Sequence, residues 1–158
     1  MSVVLYRAIA FGISVALLGV NLPARSETCY DLPLVGGEGS EVAKSVSPPG
    51  IPGPFGIRAF RDNWNTDWVV ISGKKFKRFV ATLASEGGGS FDINLFLKYS
   101  DETNDEFYDE NDHRLEAGES LAIEATPRIN RQPYQVNLRV GGLDNIGNSY
   151  TASVVACE

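Results

Sequence analysis

The densest chemistry in the chain is an acidic run, Asp101 to His113, in which seven of thirteen residues are Asp or Glu. Carboxylates crowded on one loop supply the oxygen ligands that a hard cation such as Ca²⁺ takes. The spacing is not that of an EF-hand. Counted from Asp101 or Asp109, the sixth position is Glu106 or Arg114, where that loop needs glycine. Asp101, Asp105, Asp109 and Asp112 are the candidate calcium ligands. The competing reading is a solvated acidic turn that keeps the protein soluble and discourages edge pairing. Two such carboxylates at a fixed separation would also suit a glycosidase, so a small extracytoplasmic hydrolase is the alternative class of function. No catalytic residue is assigned. His113 is the only histidine. It has neither zinc-ligand spacing nor a nucleophile motif beside it, and it reads as an exposed loop residue.

Trp64 stands among polar amides in Asp62-Asn63-Trp64-Asn65. An indole in that setting stacks on a sugar face or a partner protein, or folds over the end of the domain. Trp68 opens an apolar stretch and reads as core. Lys74-Lys75-Phe76-Lys77-Arg78 is the one basic cluster, and it reads as a guard on an edge strand. A net charge of −6 disfavours nucleic acid and anionic membrane surfaces as partners. Gly36-Gly37-Glu38-Gly39-Ser40 neither follows a strand nor opens a helix, so it is no phosphate loop.

The elements that must position these residues begin after an export signal. Arg7 precedes an apolar run, Ala8 to Val20, and a polar exit, Asn21 to Ser26. Thirteen apolar residues fall short of the roughly 20 of a spanning helix, so residues 1–26 read as a signal peptide cleaved after Ser26. The expected location is periplasmic or secreted, with no stable membrane insertion once the signal is removed. Two cysteines in an exported chain argue for a disulfide, Cys29–Cys157. Closing a loop of that length contributes about 5 kcal/mol in the chain-entropy model.

Residues 27–56 read as an irregular Pro/Gly-rich arm, since four prolines between Pro48 and Pro54 forbid a helix or central strand. Residues 57–158 read as one domain with a period of two. Phe91 to Tyr99 and Tyr134 to Val140 are the clearest half-buried strands. Trp68–Ile71, Phe76–Leu83, Leu121–Ala125 and Tyr150–Ala156 are further strands, and Ile57–Phe60 a short edge strand. Ser72-Gly73, Gly87-Gly88-Gly89, Ala117-Gly118 and Gly141-Gly142 read as turns. The expected fold is all-β, an antiparallel β-sandwich, with a closed barrel as the alternative.

Three segments carry a resemblance: Phe91-Asp92-Ile93-Asn94-Leu95-Phe96-Leu97, Ala117-Gly118-Glu119-Ser120-Leu121, and Pro133 to Gly142. In this order, within residues 67–155, they resemble the bacterial pre-peptidase C-terminal domain. The resemblance implies a jelly-roll-like β-sandwich and a non-catalytic module that binds matrix, polysaccharide or a neighbouring domain, in some members with calcium. It also implies a separate calcium site at Asp92 and Asn94. The chain departs from the family in carrying Asn94 where a second aspartate is usual, and in having no enzyme domain ahead of the sandwich.

The function expected is an exported, non-catalytic binding module whose ligand is a protein or a polysaccharide. Ca²⁺ is the one candidate cofactor. If the two clearest strands are neighbours, Asp92, Asn94, Phe96, Gln135, Asn137 and Arg139 share an outward face. Trp64, Asn94, Phe96 and Arg139 are the candidate binding residues. A subunit of an extracytoplasmic complex, docked through the proline-rich arm, is a further alternative.

Overall fold

The computed structural model describes residues 27–51 and 62–158. The expected signal peptide and the expected edge strand Ile57–Phe60 lie outside the described residues. Nine strands are described: β1 (Cys29–Asp31), β2 (Glu41–Ser45), β3 (Asn65–Val69), β4 (Arg78–Ser85), β5 (Gly89–Lys98), β6 (Asn104–Leu115), β7 (Ser120–Ala125), β8 (Gln135–Gly141) and β9 (Ser149–Cys157). They form two sheets with antiparallel pairing throughout. The first sheet runs β1/β2–β9–β4–β7 and the second β3–β8–β5–β6. Counting β1 and β2 as one interrupted strand leaves four strands in each sheet, wound in the order of a jelly roll.

Alternation places the core between the sheets. Phe91, Ile93, Leu95 and Leu97 of β5 are fully buried, as are Phe79 and Leu83 of β4, and Val136 and Leu138 of β8 meet them. Trp68 is buried too, with its indole Nε1 donating to Ser40 O at 2.8 Å. Truncating any one of the large aromatics in this layer to alanine would cost about 3–5 kcal/mol.

The arm is more ordered than its composition implies. β1 and β2 both pair with β9, so that Cys29 faces Cys157 and Glu41 faces Ser153. Between them the chain crosses to the other sheet. Val69 N donates to Pro33 O, Val35 N donates to Asp67 O, and Leu34 bridges to Trp68. Leu32 and Val46 are buried in the core. The expectation of an irregular arm is therefore corrected. Its backbone groups are satisfied by the open edges of β9 and β3, which outweighs the low strand propensity of Gly, Ser and Pro. The disulfide joins Cys29 to Cys157 and ties this interrupted edge strand to β9, an interior strand.

The acidic run is also corrected. Only Asp101 to Thr103 lie in a turn; residues from Asn104 onward form the twelve-residue edge strand β6. Two bulges, opposite Phe91/Ile93 and Leu95/Phe96, break its alternation. Lys74–Arg78 does not guard an edge, because β4 lies between β9 and β7. Lys74 pairs with Glu158 at 3.0 Å, and Arg78 pairs with Glu27 and Glu124.

Candidate functional site

β5 and β8 are neighbours, and their outward positions form cross-strand rows on the second sheet. Asn94 lies opposite Arg139, Phe96 opposite Asn137 and Lys98 opposite Gln135. β3 extends these rows, with Asn65 opposite Arg139 and Asp67 opposite Asn137. β6 adds Asp109 beside Asn94 and Glu106 beside Phe96. The face is a hydrogen-bonded lattice around one aromatic ring. Arg139 Nη1 donates to Asn94 Oδ1 at 3.1 Å. Asn94 Nδ2 donates to Asp109 at 2.7 Å and to Glu106 at 3.1 Å. Lys98 and Asn137 both donate to Asp67 Oδ1, at 2.8 and 2.9 Å. Phe96 sits half-buried among them.

Trp64 completes the face from the end of β3. A Cβ at Gly141 would stand 2.5 Å from Trp64 Cδ2. The indole thus occupies the space that any side chain at residue 141 would need. The Arg139 guanidinium lies 4.9 Å from the ring centroid, a cation–π distance. The indole Nε1 donates to Ser47 O at 2.8 Å. Gly141-Gly142, read from sequence as a turn, is thus the end of β8 followed by a residue at φ 113. A Cβ at Gly142 would meet Asn145 Nδ2 at 2.2 Å.

The arm holds this tryptophan in place. Lys44 of β2 reaches across to the start of β3 and donates to Asn63 O, Asn65 O and Thr66 Oγ1 at 3.1, 3.0 and 2.8 Å. Burial lowers its pKa, and the charge of Asp67 acts in the opposite direction. Asn63 is clasped by Ser45 O, Ser47 N and Ser47 Oγ. Three acceptors satisfy the three ammonium protons of Lys44, so the half-buried charge fixes the backbone on both sides of Trp64.

The four candidate binding residues therefore come together on one face. The four candidate calcium ligands do not. Asp105 takes two hydrogen bonds from Arg128, at 2.9 and 2.6 Å, which hold its carboxyl below the usual range. Asp101 accepts from Thr103 and pairs with Arg131. Asp109 is on Asn94, and Asp112 has its backbone N–H on Asp92 Oδ1 at 3.0 Å. The extended strand spreads carboxylates that a loop would have gathered. Among the described residues, the one group of three or more potential metal ligands within common reach is Glu27, Cys29 and Cys157. Its two sulfurs are joined in the disulfide and are no longer thiolate ligands. Asp92 and Asn94, the second candidate pair, are occupied by Asp112 and Asn145, and by Arg139, Asp109 and Glu106 respectively. His113 is half-buried and contacts Tyr108 and Glu110.

Sequence reasoning did not find Lys44, Ser47, Asp67 and Lys98 as parts of this face. Its one usable signal for Asp67 and Lys98 was strand parity.

No protein-family model matches the sequence, and no curated protein sequence matches it. Among solved structures, a single-residue mutant of a family 29 carbohydrate-binding module superposes with a TM-score of 0.44 at 8% identity, over 84% of this chain and 93% of that one. A second mutant of the same module gives 0.43 at 8% identity, over 82% and 91%. The CBM22-1–GH10 modules of a Clostridium thermocellum endo-1,4-β-D-xylanase 10B, complexed with xylohexaose, give 0.35 at 13% identity, over 82% of this chain and 26% of that one.

Proposed function

We propose that this chain is an exported, non-catalytic module that binds a polysaccharide across the outward face of β3, β8, β5 and β6. The observation that carries the reading is the seat of Trp64, whose ring is fixed by Gly141, Ser47 and Arg139. A rigid, half-exposed indole offers a flat apolar surface to the C–H face of a pyranose at low entropic cost. Phe96 offers a second ring about 13 Å further along the strands, four residues by register. Between and around them, amides and charged groups present donors and acceptors to sugar hydroxyls. The likeness to the pre-peptidase C-terminal domain fits this reading, since two of its three segments, β5 and β8, build the face.

Catalysis by paired carboxylates has less support. Two cavities among the described residues, of about 330 and 210 Å³, are each lined by a single acid, Glu102 and Glu86. Calcium plays no part in this proposal, because the candidate ligands do not converge on one point. The disulfide supports export to an oxidising compartment. No described helix is long and apolar enough to cross a membrane.

The test is binding to a panel of soluble neutral and acidic polysaccharides, with wild type beside Trp64→Ala and Phe96→Ala. Retarded migration of wild type on at least one glycan, lost in both variants, is expected. Unchanged binding by both variants would sink the proposal.

A further inference from the structure

One of the bulges in β6 changes what the outward face carries. Along the ladder with β5, Leu97 faces Asp105, Phe96 faces Glu106 and Leu95 faces Tyr108, so Phe107 is the extra residue. Asn94 registers the same offset, since its Nδ2 donates to both Glu106 and Asp109, three residues apart. In an unbroken strand an odd separation puts two side chains on opposite sides. Asp105 and Tyr108 lie opposite the buried Leu97 and Leu95, and Tyr108 packs against the core. Glu106 and Phe107 are the two residues that oppose Phe96, and they share its outward side. Phe107 is 37% exposed there.

A phenylalanine is not the residue that an open edge calls for. The other outward positions of β6 are Asn104, Glu106, Asp109, Asp112 and Arg114, all polar or charged, as on an edge strand that resists pairing. The bulge already serves that purpose, and a charge at its extra position would serve it better. What the ring adds is apolar surface beside Phe96, which it extends from the middle of the sheet to the edge.

The polar groups around the two rings narrow the chemistry. Glu106 and Asp109 both accept from the Asn94 amide. Among the described residues, neither is paired with a Lys or Arg side chain. A carboxylate has about four lone-pair sites, so each retains capacity for hydroxyl donors. Their uncompensated charge repels carboxylate and sulfate groups.

We infer that Phe96 and Phe107 together form a second subsite, at the β6 edge, that holds a neutral pyranose unit of a chain whose first contact is Trp64. The inference rests on the polysaccharide reading of the face. The two rings stack on the sugar, and Glu106 and Asp109 accept from its hydroxyls. Gly141, beneath Trp64, lies opposite Asp92, four residues from Phe96 along β5 and two strand spacings from β6. That is about 13 Å along the strands and about 10 Å across them. Only a ligand of several units covers both places, crossing the strands obliquely toward the open edge, so the subsite makes affinity depend on chain length.

The experiment titrates wild type, Phe107→Ala, Phe107→Tyr, Tyr134→Ala and Trp64→Ala with neutral oligosaccharides of glucose, mannose, galactose and xylose, and with uronic-acid oligosaccharides, from disaccharide to hexasaccharide. Tyr134 is the control ring: it is 50% exposed, but an odd seven residues from Gly141 put it on the other side of the pleat. Wild type is expected to bind a neutral hexasaccharide more tightly than its disaccharide and than any uronic hexasaccharide. Phe107→Ala loses about tenfold on the neutral hexasaccharide and nothing on the disaccharide. Phe107→Tyr keeps the affinity, Tyr134→Ala binds as wild type, and Trp64→Ala loses affinity at every length. Titrations are run below the unfolding transition of every variant, so the disaccharide result separates lost contact from misfolding. If Phe107→Ala binds the hexasaccharide as wild type does, or Tyr134→Ala loses as much, the subsite is overturned while the Trp64 face stands. A uronic hexasaccharide bound as tightly as the neutral one overturns the neutral assignment. If wild type binds none of these sugars, or Trp64→Ala changes nothing, the face falls and the subsite with it.

Discussion

The two sheets present outward faces of the same backbone geometry and very different chemistry. On the first sheet the outward positions across the middle are short: Val80, Thr82 and Ala84 on β4, Thr151, Ser153 and Val155 on β9, Ala122 on β7, Ala43 and Ser45 on β2, with the charged Arg78, Glu124 and Glu41 confined to strand ends and edge strands. Cross-strand partners there are Thr82 with Ser153 and Ala84 with Thr151. On the second sheet the same kind of position carries Phe96, Arg139, Asn94, Asn137, Lys98 and Asp67, with Trp64 just ahead of β3, and the polar side chains are linked by hydrogen bonds of 2.7 to 3.1 Å. A solvated sheet face needs only small polar residues to remain soluble and paired. The first sheet manages with such residues across its middle and with charges at its strand ends and edges. The amides and rings gathered at the middle of the second sheet are the difference that the proposed polysaccharide ligand would account for.

The difference can be broken from the first sheet's side. Replacing Cys29 and Cys157 together by serine should lower unfolding free energy by about 3–5 kcal/mol, read from denaturant melts. The same change should weaken ligand binding, because β2 carries Lys44 and Ser47 to the tryptophan. A destabilised protein that binds its glycan with undiminished affinity at low temperature would separate the arm from the site.

The next effect is on the face itself. Trp64→Ala should cost roughly tenfold to a hundredfold in affinity, with Thr82→Ala and Ser153→Ala on the other sheet within twofold of wild type. Equal losses on both sheets would erase the distinction between the two faces. A subtler change is Gly141→Ala, which leaves every donor and ring present but displaces the indole from its seat. About a tenfold loss of binding, with a changed tryptophan near-ultraviolet dichroism signal, is expected. An unaltered spectrum would mean that the ring is not seated there.

The smallest effect concerns pH. Asp105 is held below its ordinary carboxylate range, chiefly by hydrogen bonds from Arg128. Its folded pKa lies below its unfolded one, so its contribution is complete above about pH 4 and is lost as pH falls through the folded value. The β5–β6 hairpin should therefore keep its amide protection at pH 5 and lose it first under stronger acid. Protection that falls between pH 7 and 5 would point to another group.

The strands with clean alternation were legible from residue order alone, and β5, β7, β8 and β9 match their expected spans within two residues. β6 was not. Asp, Asn and Glu are poor strand formers, and two bulges remove the period that would have revealed it. Its stability comes from the ladder with β5, a non-local partner that residue order does not show. β1 and β2 were hidden for a similar reason: each is short and flanked by Gly, Ser or Pro, and β9 supplies the pairing. The outward face was half legible. Parity placed Asn94, Phe96, Asn137 and Arg139 together, given adjacent strands. The seat of Trp64 was not, because it depends on Gly141, seventy-seven positions away, where a missing side chain is the signal.

The most direct test follows backbone and side-chain resonances as soluble oligosaccharides of the neutral and acidic panel are added. Shifts are expected at Trp64 Nε1–H, the side-chain amides of Asn94 and Asn137, and the amides of β3, β5 and β8. Thr82, Ser153 and their neighbours should stay fixed. Shifts centred on the first sheet, or none on either face with any glycan, would contradict it.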